Sequence, residues 1–191
     1  MLEPLDATAE NLVRELTCTG GFVEAGLTAT PRLVAAVTAG GLGVLTTTRA
    51  AHALPVASRL TTSATAKWPL SEDGRRRLDI VLHEAIANAV LHGNLAIGTT
   101  SSLAERFDRI DACLADPTRA ALPVEVTLLP CPGGVVVTVC DAGGGFDLAA
   151  ALGRIASVEA QSGRGLELIR AVALTLATED GGRTLRVTLA N

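Results

Sequence analysis

His83-Glu84-Ala85-Ile86-Ala87-Asn88-Ala89-Val90-Leu91-His92-Gly93-Asn94 is the stretch that decides how this chain reads. It closes a long predicted helix that opens at Ser71-Glu72-Asp73, an acidic capping start, and runs to about His92, with Gly93-Asn94 as its natural stop. At 100° per residue, Glu84, Asn88 and His92 fall within an arc of about 80°. Leu78, Leu82, Ile86, Ala89 and Val90 take the opposite side, where they can bury against a sheet. A carboxylate and a carboxamide therefore share one face. Their chemistry is oxygen chemistry, a general base and a ligand for a hard cation such as Mg2+. A zinc-protease signature is excluded, because the position that needs a second histidine holds Asn88. Taken alone, the same stripe also suits an ordinary helix face turned to water.

Two glycine-rich segments lie downstream. Val139-Cys140-Asp141-Ala142-Gly143-Gly144-Gly145-Phe146-Asp147 follows directly on an apolar strand. A carboxylate at a strand end can accept a hydrogen bond from an exocyclic amine, and a loop without Cβ atoms lets a ligand approach the backbone closely. A flexible turn is the alternative. The second segment, Ser162-Gly163-Arg164-Gly165-Leu166-Glu167-Leu168-Ile169, is a glycine pair opening an apolar helix. Free amides at a helix start form an anion site that glycines leave accessible to phosphate oxygens. A plain capped loop would look the same.

Order and spacing bring the three together. The chain resembles the GHKL ATPases, the superfamily of gyrase, histidine kinases and their relatives, over about residues 68–191. Glu84-x-x-x-Asn88 resembles their N box, Asp141-x-Gly143-x-Gly145 the first glycine box and Gly163-x-Gly165-Leu166 the second. Within the superfamily, the Asn-Ala-x-x-His-Gly-Asn run, the Phe146-Asp147 tail and Ser-Gly-Arg-Gly-Leu-x-Leu-Ile look most like the anti-sigma-factor serine kinases. The resemblance implies ATP and Mg2+ as ligands. Glu84 would polarise the attacking hydroxyl or water, Asn88 would ligate Mg2+, and His92 would line the site. Asp141 would hold the adenine amine, with Gly143 and Gly145 shaping the loop beneath base and ribose. Gly163, Arg164, Gly165 and Leu166 would close over the phosphates. Some members carry an arginine before the Ser-Gly pair, where this chain has Gln161, which leaves Arg164 to contact the terminal phosphate.

Composition narrows the function from outside. Of 16 basic residues in 191, only Lys67 is a lysine, and it sits in Ala-Lys-Trp-Pro. A P-loop and a kinase-type strand lysine are both excluded. A formal net charge of −4 and 2% aromatics argue against direct nucleic-acid binding. Cys18, Cys113, Cys131 and Cys140 form no Cys-x-x-Cys pair and read as buried thiols of a reducing compartment. The N-terminus lacks the pattern of a signal peptide, and no apolar run reaches the ~18 residues of a membrane span. The expected location is the cytoplasm, without membrane contact.

The expected fold is α+β, a two-layer α/β sandwich of the Bergerat ATP-binding type, with a mixed sheet and helices on one face. Helices are predicted over 5–17, 31–39, 49–66 (with Pro55 starting or kinking it), 71–92, 102–115 and 165–175. Strands are predicted over 44–48, 124–129, 135–140, 176–178 and 183–189, with 148–162 irregular. Residues 1–67 read as a regulatory or dimerising extension, and 68–191 as the ATP-binding domain with a helical insertion at 95–122. The function expected from the resemblance is an anti-sigma factor with serine-protein kinase activity, a homodimer that engages a sigma factor or an anti-sigma-factor antagonist. Two alternatives stand beside it. One is a non-catalytic nucleotide-sensing module. The other is a histidine-kinase-type domain, for which His52 is the candidate phosphoacceptor.

Overall fold

β-branched residues at alternate positions build the centre of the molecule. Strand β4 (Pro123–Cys131) turns at Gly133, whose φ of +75° suits glycine, into β5 (Gly134–Asp141). The computed structural model describes residues 2–98, 102–155 and 164–191. Among them the strands form a seven-stranded mixed sheet, ordered β1-β2-β3-β4-β5-β7-β6. The others are β1 (Pro4–Leu5), β2 (Gly21–Glu24), β3 (Leu42–Thr47), β6 (Thr175–Glu179) and β7 (Thr184–Ala190). β1, β2 and β3 run parallel, and every other pairing is antiparallel.

Register decides which side chains meet the helices. Val44, Val126, Val139 and Leu185 are cross-strand neighbours on one face, as are Leu42, Leu128, Val137 and Val187, and all of them are buried. Helices α1 (Ala9–Cys18), α4 (Val56–Lys67), α5 (Glu72–Asn88) and α9 (Arg164–Val172) add Leu12, Leu60, Leu78, Leu82, Ile86 and Ile169 to the same core. The largest aromatic fully inside it is Phe22. Each such aliphatic side chain, fully buried, contributes about 1.5–3 kcal/mol. The core draws on residues from both sides of residue 67, so the sheet and its helical cover run without a break from the first third of the chain into the rest.

The α+β two-layer class is as expected from sequence. One helix lies apart from the others. α2 (Pro31–Thr38) packs on the opposite face of the sheet, where Leu33 joins Val23 and Leu45 in a separate small cluster. A Cβ on Gly43 would stand 2.3 Å from Leu33 Cδ1, so this glycine lets α2 lie directly on β3.

Several boundaries differ from expectation. The first helix begins at Ala9, because Thr8 caps it and Pro4–Leu5 is already a strand. β2 was not expected. The predicted 49–66 helix is two, α3 (Thr48–Ala53) and α4, broken at Leu54-Pro55. The long helix keeps α-geometry only to Asn88, and Ala89–Asn94 form a π-helical turn. Within the 95–122 segment, α6 (Leu103–Ala115) is followed by a short helix α7 (Pro117–Ala120) that Asp116 caps. Leu148–Ile155, expected to be irregular, is helix α8.

Candidate functional site

α5 carries the first group of candidate residues. Its start is fixed twice: Ser71 caps the Gly74 amide, and Asn191 accepts from the Ser71 amide while donating to the Pro69 carbonyl. Its buried stripe faces the sheet, which leaves Glu84 and Asn88, both half-buried, turned toward α9. The two helices meet at a glycine. A Cβ on Gly165 would stand 2.3 Å from Glu84 Oε2 and 3.7 Å from Asn88 Oδ1. The carboxylate, the carboxamide and the first turn of α9 therefore converge on one place. Amides at a helix start favour anions and the two oxygens favour a cation, so the place suits a phosphate that carries a bound cation.

The π turn at the end of α5 builds the second group. Its wide loop carries Gly93 under the Asp141 carboxylate, where a Cβ would come within 2.5 Å of Cγ. Gly143 closes on the same spot, with its own Cβ position 2.3 Å from the Gly93 carbonyl oxygen. Asn94, buried, ties the corner together. Its Nδ2 donates to Thr48 Oγ1 at 2.8 Å and to the Pro123 carbonyl at 3.0 Å, and its Oδ1 accepts from the Ala142 amide at 2.8 Å. Asp141 is thereby fixed at the end of β5. Its Oδ1 accepts from the Gly143 amide at 2.8 Å, and its own amide donates to the Arg183 carbonyl at 3.0 Å. Burial pushes the Asp141 carboxyl above the usual range, against the opposing pull of the Gly143 amide and the Arg183 charge.

The glycine loop ends on a third contact. Gly145 has φ of +73°, and a Cβ there would stand 2.1 Å from the Gly181 carbonyl oxygen. Gly182 in turn packs on the Phe146 backbone, 2.0 Å from its oxygen by the same measure. The loop thus rests on the turn between β6 and β7.

Most of the residues singled out in the sequence fall into these groups: Glu84, Asn88 and Gly165 in one, Asp141 and Gly143 in another, Gly145 in the third. Arg164 opens α9 with its side chain exposed, and Leu166 is buried with Ile169. His92 is exposed, and its Nδ1 pairs with the Ile97 carbonyl at 2.9 Å, which holds the segment that follows the π turn. Gly163 lies outside the described residues. Sequence reasoning gave no role to Asn94, Gly93, Thr48 or the Asp180-Gly181-Gly182 turn. The first two stand inside the quoted helix motif, where they read as a stop signal and as part of the family resemblance, with no role of their own.

About nine residues of helix and π turn separate Glu84 from Gly93, or roughly 14 Å along the axis. A carboxylate at a strand end can accept from a polar base edge, and oxygens beside a helix start suit phosphates with a cation, an arrangement matched to a nucleotide. Residues 46–189 match the histidine kinase-like ATPase domain, and the chain belongs to that family, of the GHKL type. Such domains bind ATP. The match starts at residue 46, earlier than the 68 expected, and so takes in α3 and α4; Thr48 at the start of α3 is the residue that holds Asn94. A search of the curated proteins finds no match.

The residues present also fit Mg2+. Glu84 and Asn88 offer hard oxygens beside the space that Gly165 keeps clear. Among the described residues, no group of three His, Cys, Asp or Glu side chains could hold a metal ion. One or two protein oxygens with phosphate and water making up the rest is the arrangement Mg2+ favours.

Proposed function

We propose that the chain is an ATP-dependent protein serine kinase of the anti-sigma-factor type, controlling a sigma factor or its antagonist as a cytoplasmic homodimer. The observation that supports this reading is the meeting of Glu84 and Asn88 with Gly165 at the start of α9, a carboxylate and a carboxamide beside a helix start. Asp141 selects the base by accepting from the adenine amine, and Asn94 and Gly93 keep it aimed. Asn88 is the residue to hold Mg2+, which when bound neutralises phosphate charge in a chain whose one lysine donates elsewhere, to the Gly41 carbonyl. Glu84 takes the proton of a partner's serine as its oxygen attacks the γ-phosphorus, and ADP leaves with the bridging oxygen.

Phe146 in the glycine loop, Leu168 on α9, and Leu103 and Phe107 on α6 all keep large apolar side chains exposed, apolar surface of the kind a protein partner covers. Incubation with labelled ATP and candidate antagonist proteins tests the reading. Acid-stable phosphate on the partner's serine, lost in Glu84→Ala, supports it. Unchanged ATP binding with no transfer in either protein would make the chain a nucleotide sensor. Acid-labile phosphate at His52, which is exposed on α3, would make it a histidine kinase.

A further inference from the structure

The turn that supports the glycine loop is itself held from the far side of the sheet. Asp180, Gly181 and Gly182 all have positive φ, at +53°, +68° and +88°, an arrangement that costs a non-glycine residue such as Asp180 conformational energy. Two partners keep Asp180 in place. The Thr184 hydroxyl donates to its Oδ2 at 2.8 Å, and the Arg32 guanidinium meets the same oxygen at 3.1 Å. Arg32 belongs to α2, the helix on the opposite face. It also lies 3.4 Å from Thr184 Oγ1 and 3.8 Å from the buried Glu125 carboxylate on β4, which Thr30 at the α2 N-cap also contacts. One side chain from a segment outside the matched domain therefore spans β4, β7 and the turn.

From Asp180 the contacts run straight to the nucleotide loop. Gly181 touches Gly145, Gly182 touches Phe146, and the next residue, Arg183, takes the Asp141 amide on its carbonyl. We infer that Arg32 is a positioning residue for the ATP site: through Asp180 it seats the turn on which the Asp141–Phe146 loop rests, so that the docking of α2 sets the affinity for nucleotide. The pair is half-exposed, at 37% and 48% for the two side chains, so it adds little to global stability. What it does is local. Arg32→Gln also takes the paired cation from the buried Glu125, which keeps only its Thr30 contact, so Asp180→Asn, which leaves that pair intact, is the variant that isolates the turn.

The inference rests on the ATP-binding reading only for its functional half, and the test separates the two. Hydrogen exchange is followed in the nucleotide-free full chain, alongside ATP titration and thermal melting, for Arg32→Gln, Asp180→Asn, the double variant and Arg32→Lys. Faster exchange at the Asp141–Gly143 amides is expected in both single variants, with the Gly43–Leu45 strand amides and the melting temperature unchanged in Asp180→Asn. ATP affinity is expected to fall about fivefold in each, the size of a modest coupling between sites. The double variant is expected to be no worse than either single one, because both cut the same link, and Arg32→Lys, which keeps the cation, to recover most of the loss. Unchanged exchange at the loop overturns the inference, whatever ATP does. Additive effects in the double variant, or a loss in Arg32→Lys as large as in Arg32→Gln, overturn it as well. A wild-type chain that shows no ATP binding while its loop exchange responds as described refutes the nucleotide reading and leaves the seating of the loop standing.

Discussion

Asp141 carries a charge that the folded chain would hold more easily as a neutral acid. Its folded carboxyl titrates above its unfolded value, so folding favours the protonated form. That stability is full below the unfolded carboxylate range and is lost as pH rises through the raised folded value. At neutral pH the ionised carboxylate is a standing cost, which in the proposed reading the adenine contact offsets. Asp141→Asn is therefore expected to leave the nucleotide-free melting temperature unchanged or higher, with the gain over wild type largest near neutral pH and vanishing in acid. Losing a charge-assisted hydrogen bond of about 1.5–3 kcal/mol weakens ATP binding by roughly 10- to 100-fold; calorimetric titration and pH-dependent melts read both effects. Asn94 is the opposite case. Asn94→Ala removes three hydrogen bonds made from a buried position, to the buried Thr48 hydroxyl, the Pro123 carbonyl and the Ala142 amide, and a loss of about 2–4 kcal/mol is expected by urea unfolding. Its sequence neighbours show why the role was hidden: Gly-Asn after a helix is also the ordinary signature of a helix end.

The start of α9 divides binding from transfer. A methyl group at Gly165 would displace the far end of the flexible Glu84 side chain and leave the backbone in place. Gly165→Ala is expected to fold and bind ATP within a fewfold of wild type while losing at least tenfold in phosphoryl transfer, seen as a fall in kcat with KM for ATP held. Elements of this kind were legible where periodicity was long. α5, α6 and the β4–β5 hairpin follow from apolar spacing and caps, and so do Glu84 and Asn88 as a pair. The short β2 was not, since four residues give alternation too little length to register. α8 is short and rich in alanine and leucine, and its cap, Asp147, whose Oδ1 accepts from the Ala150 amide at 3.0 Å, reads in the sequence as the end of the glycine loop. The π turn has no marker at all in the sequence, because what calls for it is the distant Asp141 carboxylate above Gly93.

At the scale of the whole molecule, the first 45 residues lie outside the matched domain yet finish its core. Leu12, Leu16, Phe22, Leu42 and Val44 are buried against helices and strands of the remainder. A chain cut to residues 46–191 exposes these contacts along the β4 edge and is expected to lose cooperative unfolding by circular dichroism and to self-associate in size-exclusion chromatography. The side on which α2 would lie could not be read ahead, since Leu33 and Gly43 fit each other only once β3 is in register with β4. The close approach of Gly93 and Gly143 has a consequence for anyone borrowing this site. Gly93 blocks a side chain on Gly143 and Asp141 blocks one on Gly93, so the helix motif and the glycine loop are two halves of one joint. A transplant that carries either half to a new scaffold without its mate would bring a carboxylate with nowhere to sit.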